Sequence, residues 1–282
     1  MVSDLFVLTL NEVDGLKKIM PRVKKEWVNR IIVIDGGSTD GTVEEAKKMG
    51  LEVLPQKGKG HGNAFLTGVN ASDADHFIMW APDGNFEPEE IPKLVKKAEE
   101  GFDQVIVSRF AKTSVNEDAG YFDTFGNKMF TFLTNILFGS HLTDSLNGSR
   151  IISRKAMSEI NFHDEGTTFA DCIQMTVRSI KRGHMICNID GNERTRIGGV
   201  RKMNPFPVGR TLSLEIIKNF GPAYYLQKPI IRYRITKGSV SRNKINSALK
   251  TLQVYNKVFN FNFFNKCFYF FFYILNILKK SK

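Results

Sequence analysis

Arg30-Ile31-Ile32-Val33-Ile34-Asp35-Gly36-Gly37-Ser38-Thr39-Asp40-Gly41-Thr42 carries a short β-branched run into small and polar residues and then into helix formers. That order reads as strand, turn and helix start. The small residues at 36 to 38 let backbone approach a flat ligand, and Asp35 at the strand end can accept hydrogen bonds from a base or ribose. Taken alone, the stretch also reads as an ordinary strand-to-helix turn, with Asp40 capping the helix.

Outward from this point the texture repeats. Leu5 to Leu10, Glu52 to Leu54, His76 to Trp80 and Gln104 to Val107 are short apolar runs that predict strands. Asp14 to Lys25, Thr42 to Met49, His61 to Val69 and Glu89 to Glu99 space apolar residues three or four apart and predict helices. The β-α-β-α order predicts a mostly parallel sheet flanked by helices, with ligands beyond the carboxyl ends of the strands. Later stretches are predicted helices at Phe122 to Phe138 and Glu165 to Lys181, a strand at Met185 to Ile189, and a basic loop from Asp190 to Asn204. The texture changes at Pro205, which places a domain boundary between 1–204 and a basic helical extension, 205–282.

Two more segments end predicted strands. Gly58-Lys59-Gly60-His61-Gly62-Asn63 opens a helix with unpaired amides and a lysine, as an anion-cradling loop does. It fits neither a P-loop nor a dinucleotide fingerprint. Met79-Trp80-Ala81-Pro82-Asp83-Gly84-Asn85 sets a carboxylate and an amide two residues apart. Magnesium keeps one or two protein carboxylates and takes waters and substrate phosphates for the rest, so Asp83 and Asn85 can serve as metal ligands. Pro82-Asp83-Gly84 is equally a turn signal.

Composition narrows the partners. Forty Lys and Arg against 29 Asp and Glu give a formal charge of +11, which favours nucleotides, phospholipid headgroups or nucleic acid. Nucleic acid is disfavoured because no aromatics interleave the basic residues near Arg196 to Lys202. Cys172, Cys187 and Cys267 have no metal spacing and predict a reducing compartment. Phe263 to Leu278, followed by Lys279, Lys280 and Lys282, is aromatic-rich with a basic stop. Asn265, Lys266 and Asn276 interrupt it, so it falls short of the roughly 20 apolar residues of a spanning helix, and an interfacial or re-entrant anchor is favoured over a full span; a full span and a buried C-terminal helix are the other readings.

In order and spacing, these segments resemble family 2 glycosyltransferases of the GT-A type, most nearly the dolichol-phosphate and polyprenyl-phosphate sugar synthases. Thr9-Leu10-Asn11-Glu12 is similar to the family's T-Y-N-E, the 35–42 stretch to V-D-D-G-S-x-D-G-T, and Lys59 to Gly68 to its K-G loop. Asp83 and Asn85 fall on its D-x-D position, Ser108-Arg109 on its S-R, and Asp144 to Arg150 on D-x-T-x-G-F-R. Arg196, Gly199 and Lys202 match a late R-x-x-G-x-S-K.

The resemblance implies a GT-A-type nucleotide-sugar-binding α/β fold with a membrane-associating C-terminal segment. It implies donor binding by Thr9, Leu10, Asn11, Glu12, Asp35, Gly37, Lys59 and Asp83, and acceptor-phosphate binding by Arg109, Arg150, Arg196 and Lys202. A divalent ion, Mg2+ or Mn2+, falls to Asp83 and Asn85, and the catalytic set to Asp83, Arg109, Arg196 and Lys202. The implied partners are a UDP- or GDP-linked sugar, a polyprenyl phosphate and a membrane surface, at its cytoplasmic face. Gly36, Ala81 and Gln174 replace acidic residues of the family pattern. Two other functions therefore stay open: a transferase with a different glycan or lipid-linked acceptor, and a degenerate nucleotide-sugar-binding protein.

Overall fold

The structure is a computed structural model that describes residues 1–163, 170–197 and 205–220. Among these, seven strands form one sheet: β1 (Ser3–Thr9), β2 (Arg30–Asp35), β3 (Glu52–Pro55), β4 (His76–Trp80), β5 (Gln104–Ser108), β6 (Arg150–Ser153) and β7 (Ile186–Asp190). Their spatial order is β3-β2-β1-β4-β6-β5-β7. All pairings are parallel except those of β6, which runs against β4 and β5.

The helices are α1 (Val13–Ile19), α2 (Thr42–Lys48), α3 (His61–Asn70), α4 (Ile91–Glu99), α5 (Tyr121–Phe138), α6 (Arg154–Glu159), α7 (Asp171–Lys181) and α8 (Pro205–Phe220). Strand alternation sorts the core onto two faces. Leu5 and Val7 of β1 join Val33, Ile78, Trp80, Val105 and Val107 under Leu16 of α1 and Ile91 and Leu94 of α4. Phe6 and Leu8 join Ile32, Ile34, Phe77 and Met79 under Phe65 of α3, Met157 of α6 and Met175 of α7. Phe6 packs on Phe77 and Phe65 with centroids 5.7 and 5.8 Å away. Gly68 of α3 lies so close that a Cβ there would meet the Phe6 ring at 2.6 Å.

Three differences from the sequence reading have physical causes. The first helix ends at Ile19, not Lys25, because Pro21 turns Met20–Arg22 into a 3-10 turn. β6 and α6 stand where the sequence offers no alternation, since β6 has four residues and all are buried. The expected break at 205 is a helix start, with Pro205 at the first position, where its missing N–H costs nothing. The first compact unit runs Met1–Tyr224 and includes α8, which packs on α5 and α7 and carries Glu215, paired to Arg178 at 2.7 Å. The second unit, Tyr225–Lys282, with the aromatic segment 263–278, lies outside the described residues.

Candidate functional site

The carboxyl ends of β1, β2, β3, β4, β5 and β7 share one edge of the sheet, and Asp83, Arg109 and Arg196 follow β4, β5 and β7 there. At β1 and β2 two loops brace each other. Asn11, at φ 58°, receives the Thr39 N–H at 2.9 Å and donates its own to Ser38 Oγ at 2.8 Å. The Glu12 N–H reaches Thr42 Oγ1 at 2.9 Å. Leu10 and Gly37 are exposed beside them.

Asp35 behaves differently from expectation. Its Oδ1 accepts from Thr9 Oγ1 and Ser38 Oγ, and its Oδ2 from the N–H groups of Gly37 and Ser38. Both oxygens are filled by the protein, so Asp35 shapes the loop and is not a free acceptor for a base or ribose.

After β4, Pro82-Asp83-Gly84-Asn85 turns under a second segment. The Ile197 N–H donates to Asp83 O at 2.9 Å, the Arg194 N–H to Asn85 O at 2.7 Å, and Asn85 Nδ2 to Arg194 O at 2.6 Å. Residues 194–197 of the basic loop therefore lie along the Asp83 turn. Close approach demands glycine here: at Gly84, φ 83°, a Cβ would meet Ile197 at 2.7 Å, and at Gly15 of α1 it would meet Pro82 O at 2.1 Å.

Asp83 is almost buried, accepts the Asn85 N–H at 3.1 Å and faces Arg196 Nη1 at 3.2 Å. Burial raises its pKa above the usual carboxylate value, although the Arg196 charge opposes this. Arg196 also approaches Asp118 at 3.5 Å. Since the Asn85 nitrogen is committed to Arg194 O, its Oδ1 is the atom available to a cation. One carboxylate and one amide oxygen fit a hard divalent ion that draws further ligands from a diphosphate. Ala81 adds no donor.

Arg109 follows β5 and is held on all sides: Nε to Asp144 Oδ2 at 2.7 Å, Nη2 to Asp144 Oδ1 at 3.1 Å and to Asn127 of α5 at 3.0 Å, with Glu193 at 3.7 Å. Burial works against its charge, but Asp144 and Glu193 outweigh this and raise its pKa. Burial raises Glu193 despite Arg109. Glu193 and Asp118 complete the site, and the sequence reading singled out neither.

Arg150 is a correction. It is fully buried within β6, donating to Asn147 O, Cys172 O and Thr176 Oγ1, and no acceptor phosphate can reach it. Lys59 is exposed on its loop, whose Gly60 O accepts from Gln56 Nε2 at 2.7 Å. Lys202 and Gly199 lie outside the described residues.

A pair 110 residues apart in sequence joins the glycine loop to α7: His61 Nδ1 stands 2.5 Å from Asp171 Oδ2. Burial would raise Asp171, but His61 and Arg150 overcome it and hold the carboxyl below its usual pKa. Cys172 Sγ lies within 4.8 Å of both ligand atoms, but burial pushes its thiol up to about 12, which leaves a neutral and poor metal donor.

Glu90 supports the start of the basic loop from beneath, taking the Asn192 N–H at 2.9 Å while Oε2 has no partner. Burial raises its pKa from 4.5 to about 7. The unfolded chain then ionises first, so stability is full below about 4.5 and is lost as pH rises through about 7, by about 3 kcal/mol. Glu90→Gln, which mimics the neutral acid, should flatten that part of the profile. Urea denaturation at pH 5 and pH 8 measures it, and equal pH slopes in both proteins would refute the assignment.

The family model for glycosyl transferase family 2 matches residues 4–160, more than half of the chain and all of the strand-end segments from Thr9 to Arg150. The chain belongs to glycosyl transferase family 2. Within that family, glycosyltransferase AglJ of Haloferax volcanii is 30% identical over 222 residues, covering 77% of this chain and 72% of the relative. A dolichyl-phosphate hexose transferase of the same organism is 27% identical over 220 residues, covering 77% and 93%. The chain is a glycosyltransferase. Glucosyl-3-phosphoglycerate synthase of Mycobacterium tuberculosis, solved with Mn2+ and UDP-glucose, superposes with TM-score 0.61 at 20% identity, covering 79% of this chain and 80% of that one. The likeness shows a shared GT-A-like fold.

Proposed function

We propose that this glycosyltransferase is metal-dependent and inverting, and moves a sugar from a UDP- or GDP-linked donor to a polyprenyl phosphate at the cytoplasmic face of a membrane. The observation that carries the reading is the convergence of Asp83, Asn85 and Arg196 at the carboxyl edge of the sheet, with the Arg109 network beside them. The dolichyl-phosphate relative and the aromatic, lysine-ended segment 263–278 support the lipid acceptor. Mn2+ in the structural neighbour supports the metal, and its UDP-glucose the donor class.

Asp83 and Asn85 Oδ1 would hold a divalent ion, which would supply charge neutralisation to the departing diphosphate. Arg196, about a third exposed, is the cation placed to hold phosphate; Arg109, tied to Asp144, positions α5 and the Glu193 loop around it. An acceptor phosphate oxygen is already anionic at neutral pH. It forms its bond to the anomeric carbon as the bond from that carbon to the diphosphate oxygen breaks, and needs no general base. A single displacement inverts the anomeric centre.

A second reading, a hydroxyl acceptor, is favoured by Glu193: a buried carboxylate with a raised pKa is suited to take a proton. Purified protein assayed with UDP- and GDP-sugars, Mg2+ or Mn2+, and either a short polyprenyl phosphate or the matching polyprenol separates the readings. Transfer to the phosphate alone supports the first, and transfer to the alcohol overturns it. A protein that binds donor but never turns it over is the degenerate form.

A further inference from the structure

Both oxygens of Asp35 are filled by protein groups, which leaves open what reads the base of a nucleotide at the β1–β2 edge. The neighbouring acceptors are engaged too. Asn11 Oδ1 takes the Thr39 N–H at 2.9 Å, and the Asp40 carboxylate takes the N–H groups of Val13 and Thr42 at 3.1 and 3.0 Å. Gln56, the residue after β3, differs. Its backbone N–H is tied to Asp35 O at 2.8 Å and its Nε2 to Gly60 O at 2.7 Å. The second bond fixes which end of the amide is nitrogen. Its Oε1 accepts no hydrogen bond among the described residues.

That oxygen stands beside Gly36, because the pairing of Asp35 with Pro55 sets residues 36 and 56 side by side. A Cβ on Gly36 would lie 3.1 Å from Gln56 Oε1, 3.4 Å from Thr9 O and 3.5 Å from Leu10 Cβ. Gly36 is exposed, so these groups border an open gap. Where the family pattern carries an acid, this chain has no side chain, and an amide oxygen from the next strand stands at that place.

We propose that Gln56 is the specificity-determining residue for the donor base, and that its Oε1 selects uracil by accepting the N3–H. The missing Cβ at Gly36 lets a ring edge come within hydrogen-bond reach of Oε1, and Leu10, 37% exposed, gives the ring an apolar wall. With its nitrogen committed to Gly60, the amide reads only a donor. Uracil presents one ring N–H between two carbonyl oxygens. Cytosine turns a bare N3 lone pair to the same place, acceptor against acceptor. Guanine presents N1–H and N2–H2 side by side and calls for two acceptors, as a carboxylate supplies and one amide oxygen does not. This inference rests on the proposed nucleotide-sugar donor and narrows it to the uridine class.

Isothermal titration calorimetry of the full-length protein with Mn2+ and UDP, CDP, GDP or N3-methyl-UDP tests it. UDP is expected to bind about tenfold or more tighter than the other three. In Gln56→Ala, UDP should weaken about tenfold while CDP and N3-methyl-UDP hardly change, so the preference collapses. In Gly36→Asp/Gln56→Ala, a carboxylate grown from position 36 into the emptied place should restore the preference for UDP over N3-methyl-UDP. If Gln56 only props the 57–60 turn, its loss weakens all four ligands together and the ratios persist; that outcome overturns the proposal. Wild-type protein that binds CDP or GDP as tightly as UDP also overturns it, while the donor reading stands. If wild type binds no nucleoside diphosphate, the proposed donor itself fails and the role of Gln56 with it.

Discussion

Asp83→Ala should lower sugar transfer by about three orders of magnitude, the loss of roughly 4 kcal/mol of stabilisation of the departing diphosphate. Asp83 is the one carboxylate in its turn, because Ala81 stands where the family pattern carries a second. Asp83→Asn separates charge from geometry: it keeps an acceptor for the Asn85 N–H and the size that fits beneath Ile197, but presents no charge to a cation. Its activity should be partly restored by raised Mn2+, whereas that of Asp83→Ala should not. Acid should act in the same direction. Burial raises the Asp83 pKa, so protons compete for the carboxylate at a higher pH than for an exposed aspartate, and the metal requirement should climb as pH falls. Initial rates against Mn2+ at several pH values test this. An Asp83→Asn protein with wild-type rates and wild-type metal dependence would place the metal elsewhere.

The parallel half of the fold was legible because each strand ends in small or polar residues at the same sheet edge, a pattern that periodicity and turn chemistry reveal together. Asp83 and Asn85 stood out as two oxygen donors in one turn, and the structure adds what spacing cannot: Arg194 and Ile197, over 100 residues later, pin that turn through backbone hydrogen bonds. The same distance hid the His61–Asp171 pair: His61 stands out in the glycine loop, but nothing in that segment points to Asp171. Asp35 and Arg150 were misread for one shared reason. A charged side chain in a motif was taken to face a ligand, but both are satisfied by protein groups, and sequence alone does not show which way such a group turns.

Arg150 gives the larger stability effect of those two residues, and its burial sets the expected result. Arg150→Met should cost about 3–5 kcal/mol, because a methionine of similar length leaves the carbonyls of Asn147 and Cys172 without their guanidinium donors in the core. In a chain of this size that lowers Tm by about 10 °C. The partner Asp171 adds a pH signature. Its folded pKa is depressed, partly by Arg150, so its contribution is present above the ordinary carboxylate pKa and is lost as pH falls through the depressed value. Without Arg150 the folded value moves upward, and acid should destabilise the variant from a higher pH than wild type. Thermal melts between pH 3 and 7 read both effects. If Arg150 instead held the acceptor phosphate, the variant would melt like wild type at every pH and show only a raised KM for acceptor; that outcome would overturn the buried assignment.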